Sequence, residues 1–349
     1  MKTRFLSLLL LLSVSLSASA VSLSLDSIAT WGKFPRFVVD TYRWGCDFFN
    51  GYDTTYVKGT GHPFNVKLKT ESWTDIYNMQ FENRTQMNMV SDLSTSAGLY
   101  LTYYAVSVGY DINIGKYFNG SDNVSKRFNF QFSCMLFSAD LYFVSNDIGT
   151  RIKSIKPLDG ELIRPNIPFD GVNNKEWGLN LQYYINHKRY SAAAAFNMSR
   201  VQIKSGGSFF AGFSFNRKQY NFDFSELPPD LMEYLPPNMP NNHYRVDNYN
   251  YLLRLGYGYN WVFHPKFTLG ISEAPMIGVT RSYINEPSSW KTTVGAQSIT
   301  QLSLVFNSGR WFAGLVGTAQ VGLSRDSERL LVSSYLTLMT SVGWRFSLW

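Results

Sequence analysis

This sequence is poor in the residues that perform chemistry. Of its 349 residues, four are histidine and two are cysteine. No CxxC, HExxH or EF-hand spacing occurs, so no metal and no cofactor are expected. No G-x-S-x-G elbow is present to seat a nucleophile. A hydroxyl nucleophile also needs a base beside it. The histidine contexts are His62-Pro63, His187-Lys188, His243-Tyr244 and His264-Pro265, none with a serine two positions away. Each reads as a polar residue at a turn, loop or strand end, so no catalytic residue is expected. Cys46 lies in the N-terminal segment and Cys134 falls on an outward strand face, which gives no reason to pair them.

Long apolar runs and dense basic runs are also missing. After Phe5–Leu16, every apolar stretch is broken by Ser, Thr, Asn, Gln or Gly at short intervals, which excludes a bundle of spanning helices. The net charge of +7 is spread along the chain and leaves no nucleic-acid footprint. The same excess suits loops facing anionic lipopolysaccharide, and equally suits plain solubility.

What is there begins with an export signal. Lys2 and Arg4 precede the apolar run, and Ala18-Ser19-Ala20 gives the small-residue cleavage pattern, so residues 1–20 read as a removed leader. Aromatics make up 16% of the chain, more than a core of this size needs, so some are expected to face lipid or its interfaces.

The main signal is period-two alternation. From Asn248 to Trp261 one face carries Tyr249, Tyr251, Leu253, Leu255, Tyr257, Tyr259 and Trp261. The other carries Asn248, Asn250, Leu252, Arg254, Gly256, Gly258 and Asn260. Successive strand side chains point to opposite faces. A face that is aromatic at its ends and aliphatic between them fits a strand crossing a bilayer. Phe64–Leu68, Phe128–Phe132, Trp177–Ile185 and Leu336–Leu348 repeat the pattern.

Short turns are expected near Tyr103, Ser138, His187-Lys188, His264-Pro265 and Asn307-Ser308-Gly309. Longer links are expected at 113–126, 149–175, 278–296 and 324–331. Parity then asks for a further rising strand, which 219–224 supplies after a turn at Asn216-Arg217-Lys218, leaving 225–248 as an extracellular loop. The result is an all-β, antiparallel up-and-down transmembrane barrel over 64–349, of about 14 strands with 12 as the alternative, both termini periplasmic. The terminal Trp349 resembles the outer-membrane assembly signal, which makes the barrel-assembly machinery and outer-membrane lipid expected partners.

Segment 21–63 does not alternate. It serves as a periplasmic extension, a helix under the barrel or a plug in the lumen, and the pattern does not choose among these.

Within it stands Gly51-Tyr52-Asp53-Thr54-Thr55-Tyr56-Val57. This stretch, soon after a leader and ahead of a barrel-like chain, resembles the Bacteroidetes family known as domain of unknown function 4421. The resemblance centres on Asp53, Thr54, Thr55 and Tyr56. It implies an outer-membrane barrel and carries no activity, so no functional role transfers to these residues.

The remaining candidates are the ionisable residues expected to face the lumen: Lys67, Lys69, Glu71, Glu176, Arg254 and Arg345. Such groups tune selectivity in an open pore and bond to one another in a closed one. Three functions stay open: a channel or transporter for small solutes or apolar ligands, a binding or structural barrel using loops 149–175 and 225–248, and an interface enzyme acting on lipid. A filled lumen favours the second; an open one favours the first.

Overall fold

The computed structural model describes residues 30, 32–103, 106–115, 124–147, 149–237, 242–284, 290–325 and 330–347. The expected leader and Trp349 lie outside them. Gly51–Trp349 forms one compact unit. The helix α1 (Lys33–Asn50) belongs to another and exposes Phe37, Trp44 and Phe48.

The large unit is built of strands β1 (Val57–Gly59), β2 (Phe64–Gln80), β3 (Gln86–Ser91), β4 (Ser94–Tyr103), β5 (Val106–Asn113) and β6 (Val124–Ser133). They are followed by β7 (Phe137–Asp147), β8 (Thr150–Lys156), β9 (Ile167–Phe169), β10 (Val172–Tyr184) and β11 (Arg200–Gln202). The chain continues through β12 (Gly206–Asp223), α2 (Pro229–Met232), β13 (His243–His264), β14 (Phe267–Ile284), β15 (Trp290–Asn307), β16 (Trp311–Arg325) and β17 (Leu330–Phe346).

Twelve of these strands form a closed antiparallel ring in the order β2-β4-β5-β6-β7-β10-β12-β13-β14-β15-β16-β17. The ring closes where β17 pairs with β2 from Leu330↔Gln80 to Phe346↔Phe64. Closure removes the edges that an open sheet would expose. Strands β3, β8 and β9 continue from the end of β2 outside the ring, and β1 pairs with β11.

The count is therefore twelve, the smaller of the two expected numbers, and the difference has two causes. Asn216-Arg217-Lys218 is polar but forms no turn; β12 runs straight through it, paired with Asn250, Tyr249 and Asn248. Each of the three side chains has a partner across the sheet. Asn250 donates to Asn216 at 2.7 Å, Lys218 meets Glu176 at 3.3 Å, and Arg217 meets Asp247 at 2.6 Å. The second cause is residues 186–205, which form no wall strand.

Two further boundaries differ. The expected link 278–296 is strand as far as Ile284 and again from Trp290. Cys134 sits buried in the turn between β6 and β7 with its thiol free, not on an outward face; the Cys46 side chain lies outside the described residues.

Alternation sorts the wall into two faces. On β13, Leu253 and Leu255 are each 64% exposed, whereas Asn250, Arg254 and Asn260 are buried. Aromatic pairs rim both ends of this outward band. Phe64–Phe346 and Trp311–Trp344 lie at the short-turn end, and Tyr249–Trp290 at the long-loop end. Among the described residues no helix is long and apolar enough to cross a membrane, which says nothing of strands.

Candidate functional site: a polar chamber

The described residues at the long-loop end of the ring build an apolar cap. Tyr77 and Met79 of β2 meet Phe222 of β12 and Val246 of β13 from the wall. Met87, Met89, Ile152, Ile155 and Phe169 come from β3, β8 and β9. Residues 224–235, expected as an exposed loop, instead fold back and bury Phe224, Leu227, Leu231 and Leu235 in the same cluster. Apolar burial drives this packing: leucines spaced along that segment have nowhere else to leave water.

The short-turn end is closed by residues 186–205. A π-helix, Ala193–Asn197, buries Ala193, Ala194 and Ala195. Only small residues fit, because the wall behind them is also trimmed. A Cβ on Gly270 would stand 2.6 Å from that of Ala195, and one on Gly314 would stand 2.5 Å from the Met198 methyl. The helix ends at Met198 in the left-handed conformation, φ 61. Its freed carbonyl accepts from Arg345 of β17, whose guanidinium also bonds Asn307 Oδ1 at 2.9 Å and the Gly309 carbonyl. Asn260 Nδ2 donates to the Ser191 carbonyl at 2.9 Å and to Gln202 Oε1 at 3.0 Å. Buried polar backbone must be satisfied, and here inward wall side chains satisfy the plug.

The Asp53–Tyr56 stretch latches this plug. The Asp53 N–H donates to the Lys188 carbonyl at 2.9 Å, and its carboxylate faces Arg189 at 3.8 Å. Thr55 donates to Asp53 Oδ1 through its N–H at 2.9 Å and its hydroxyl at 2.7 Å, which fixes the turn. The Thr55 hydroxyl and N–H, with Arg189 and Lys204 nearby, hold the Asp53 carboxyl below its ordinary value. Thr54 stands exposed at the crest. The Tyr56 ring lies under the cations of Arg189 and Lys204, at 5.1 and 5.6 Å. From Val57 the chain becomes β1 and zips to β11, the plug's last segment.

Between cap and plug lies a polar chamber of about 370 Å³. Four of the six expected lumen residues line it: Lys67, Lys69, Glu71 and Glu176. Arg254 is buried beside it, donating to Gln182 Oε1 at 3.1 Å, and Arg345 serves the plug. The chamber also holds Asp75, Asp111, Asp140, Tyr142 and Lys218. Alternation carried a signal for Asp111, flanked by Tyr110 and Ile112, and for Asp140, followed by Leu141 and Phe143. Lys218 was hidden by the turn reading.

The charges are arranged in small networks. Lys69 reaches Glu71 at 2.9 Å and Asp111 at 3.0 Å, and Tyr100 donates to the same Asp111 oxygen. Tyr142 donates to Glu176 at 2.7 Å. Phe196 and Asn197 of the plug reach into the chamber lining.

The histidines stay outside this chamber. His62 Nδ1 lies 3.1 Å from the Ser347 hydroxyl, and His264 Nδ1 accepts the Lys266 N–H at 3.3 Å. At the long-loop end Asp223 contacts both His243, at 3.6 Å, and Ser225. There the acid is the bridge, whereas activation of a serine requires the base between hydroxyl and acid.

No curated protein matches the chain. Among solved structures it is similar to the outer membrane protease OmpT from Escherichia coli, at 7% identity and a TM-score of 0.38, covering 81% of this chain and 96% of that one. It is also similar to the outer membrane protein OprG from Pseudomonas aeruginosa, at 11% identity and a TM-score of 0.26, covering 82% and 99%. Such scores are too low to argue from. A family model is more specific: the one described as domain of unknown function (DUF4421) matches residues 51–346, from the latch to the last wall strand, and the chain belongs to that family.

Proposed function

We propose that this chain resides in the outer membrane of a Gram-negative cell, with both termini on the periplasmic side. On this reading it is a barrel sealed at rest that admits a small polar solute to an internal chamber. The outward band supports the membrane reading. A face of Leu, Ile, Val and aromatic side chains this exposed would aggregate in water and is matched by lipid. Short turns at the end that carries Phe64 and Phe346 support the orientation, since short turns lie periplasmically in such barrels. Its surroundings are then membrane lipid, lipopolysaccharide at the long-loop end, and the assembly machinery that inserts it. Nothing in the arrangement calls for nucleic acid or for catalysis.

The observation that carries the sealed reading is the latch on the plug. The Asp53–Gly59 segment holds 186–205 by backbone pairing around the buried Val57 and by a partly exposed ion pair and cation–π contacts, while the plug closes the lumen above it. That construction suits a stopper that moves. Ile152, Ile155 and Phe169 of the first expected loop and Leu227, Leu231, Leu235 and Tyr244 of the second pack into the cap, which argues against their use as free binding arms.

The test is conductance of the purified full chain in planar bilayers. The native protein is expected to be silent, and Asp53→Ala combined with Tyr56→Ala to show discrete conductance steps. A native protein that conducts steadily would sink the sealed reading. Steady silence of the latch variant, with its barrel intact by heat-modifiable mobility, would sink the moving plug.

A further inference from the structure

We infer that the chamber takes a zwitterionic solute of amino-acid type, its carboxylate on Lys67 and its ammonium on Asp140. This rests on the reading that the chamber admits a solute, and it names the class.

Pairing within the chamber uses up most of its charges. Lys69 is held by Glu71 and Asp111, and Lys218 by Glu176. Lys67 is different. It is 8% exposed and lines the chamber, yet among the described residues it has no ion pair and no hydrogen bond. Its ammonium only stands over the Tyr100 ring, 5.2 Å from the centroid. A buried ammonium with no anion bonded to it is costly, and a bound carboxylate reduces the cost.

The opposite need appears elsewhere on the lining. One oxygen of Asp140, Oδ1, is buried without a hydrogen-bond partner, although Gln131 serves the carboxylate and Arg254 is the nearest opposite charge. Asp111 Oδ1 and Gln297 Oε1 are in the same condition. Unsatisfied acceptors in a closed site call for donors on the occupant. Among the described residues the lining carries the cations Lys67, Lys69, Lys175 and Lys218 against the acids Glu71, Asp75, Asp111, Asp140 and Glu176, with Arg254 beside it, so its charges nearly balance. An occupant with a carboxylate alone would upset that balance. One with an ammonium as well satisfies both the free cation and the free acceptors.

Position agrees with this assignment. Lys67 pairs across to Tyr100, while Ser107, Gln131 and Asp140 are successive neighbours on β5, β6 and β7. Both anchors thus sit on one arc of the inner wall, with polar Ser107 and Gln131 between them. At the base of Lys67 a smaller void is lined by Thr102, Ser107 and the plug residues Asn197 and Ser199, so an occupant on Lys67 lies next to the plug.

The experiment is calorimetric titration of the full chain in detergent with four probes: L-glutamine, its N-acetyl derivative, its α-amide and glucose. L-Glutamine is expected to bind at least tenfold more tightly than the other three. Lys67→Met is expected to erase the preference over the α-amide, Asp140→Asn the preference over the N-acetyl derivative, and Lys67→Arg to retain binding. Heat-modifiable mobility confirms that each variant is folded. Equal binding of glucose or the α-amide by the native chain overturns the inference and leaves the solute chamber standing, as does unchanged L-glutamine affinity in Lys67→Met. Absence of binding by every probe overturns the inference, and conductance of the latch variant then decides separately whether the sealed reading survives.

Discussion

The Tyr56 carbonyl accepts the N–H of Ile203 at 2.7 Å. A residue that precedes the barrel in the chain is thereby stitched to the segment that fills it. Lys58 and Val201 stand opposite each other two steps further along this pairing. Opposed residues of an antiparallel pair lie about 4.5–5.5 Å apart at Cα, within disulfide range. Lys58→Cys with Val201→Cys, made in a background lacking Cys46 and Cys134, is expected to crosslink on mild oxidation. Combined with the latch substitutions, the crosslink is expected to suppress conductance, and reduction to restore it. Conductance that ignores the redox state would show that solute passes by another route.

Acid should loosen the same latch. The hydrogen bonds from Thr55 hold the Asp53 carboxyl below its ordinary value of 3.8, with Arg189 adding attraction. A group whose folded pKa is depressed stabilises the fold fully above its unfolded pKa. That contribution is lost as pH falls from 3.8 through the lower folded value. Protease cleavage within 186–205, measured from pH 6 down to pH 2.5 with an acid-active protease, is therefore expected to accelerate only below about 4. Asp53→Asn should flatten the profile; an unchanged profile would remove Asp53 from the latch.

Arg345 tests the plug from inside. The residue is 1% exposed, and its guanidinium stacks 4.3 Å over Phe312 and donates to the Met198 carbonyl, the Gly309 carbonyl and Asn307. Arg345→Met fills similar space and leaves those acceptors unpaired. The expected loss is about 1.5–3 kcal/mol, as for hydrogen bonds to a charged group. It should be local. Hydrogen exchange is expected to rise at 190–203 and stay unchanged in β13 to β15. Uniform loss of protection across the wall would mean that Arg345 supports the barrel rather than the plug.

These contrasts also define what could be read from sequence. Alternation needs only neighbours along one strand, so the two faces of β13 were legible, as was the inward direction of Lys67, Lys69, Glu71, Glu176, Arg254 and Arg345. The strand count came out at the smaller of the two expected numbers where polarity has two meanings. Asn216-Arg217-Lys218 looks like a turn because turns are polar, but two of those residues face a polar lumen and the third pairs on the outer wall. The plug was illegible for a different reason. Ala192–Ala195 carries no pattern of its own, and the plug's fit depends on Gly258, Gly270 and Gly314, which face Tyr190, Ala195 and Met198 from strands far along the chain. The Asp53–Tyr56 motif stood out as a family mark, but its partner segment was unknown until both were placed.

Glu273 offers a last test, on the lipid-facing side. It sits midway along β14 with its side chain exposed on the outer wall, opposite Tyr257 and Thr300. Ser298 and Thr300 donate to its two oxygens. Next to it Pro275 removes a ladder donor, and no pairing links Leu255 or Gly256 of β13 to β14 there. A carboxylate among lipid chains costs less than a lysine or arginine but is still unfavourable, and two hydroxyls offset only part of that cost. Glu273→Leu is therefore expected to stabilise the isolated barrel by about 1 kcal/mol in urea unfolding from lipid vesicles. The hydroxyls lose little, since each can return to a backbone carbonyl on its own strand. A stabilised variant identifies this face as one that meets lipid. A destabilised variant, or one that runs at a smaller mass in native electrophoresis, would mean that Glu273 is covered by another protein surface in the membrane.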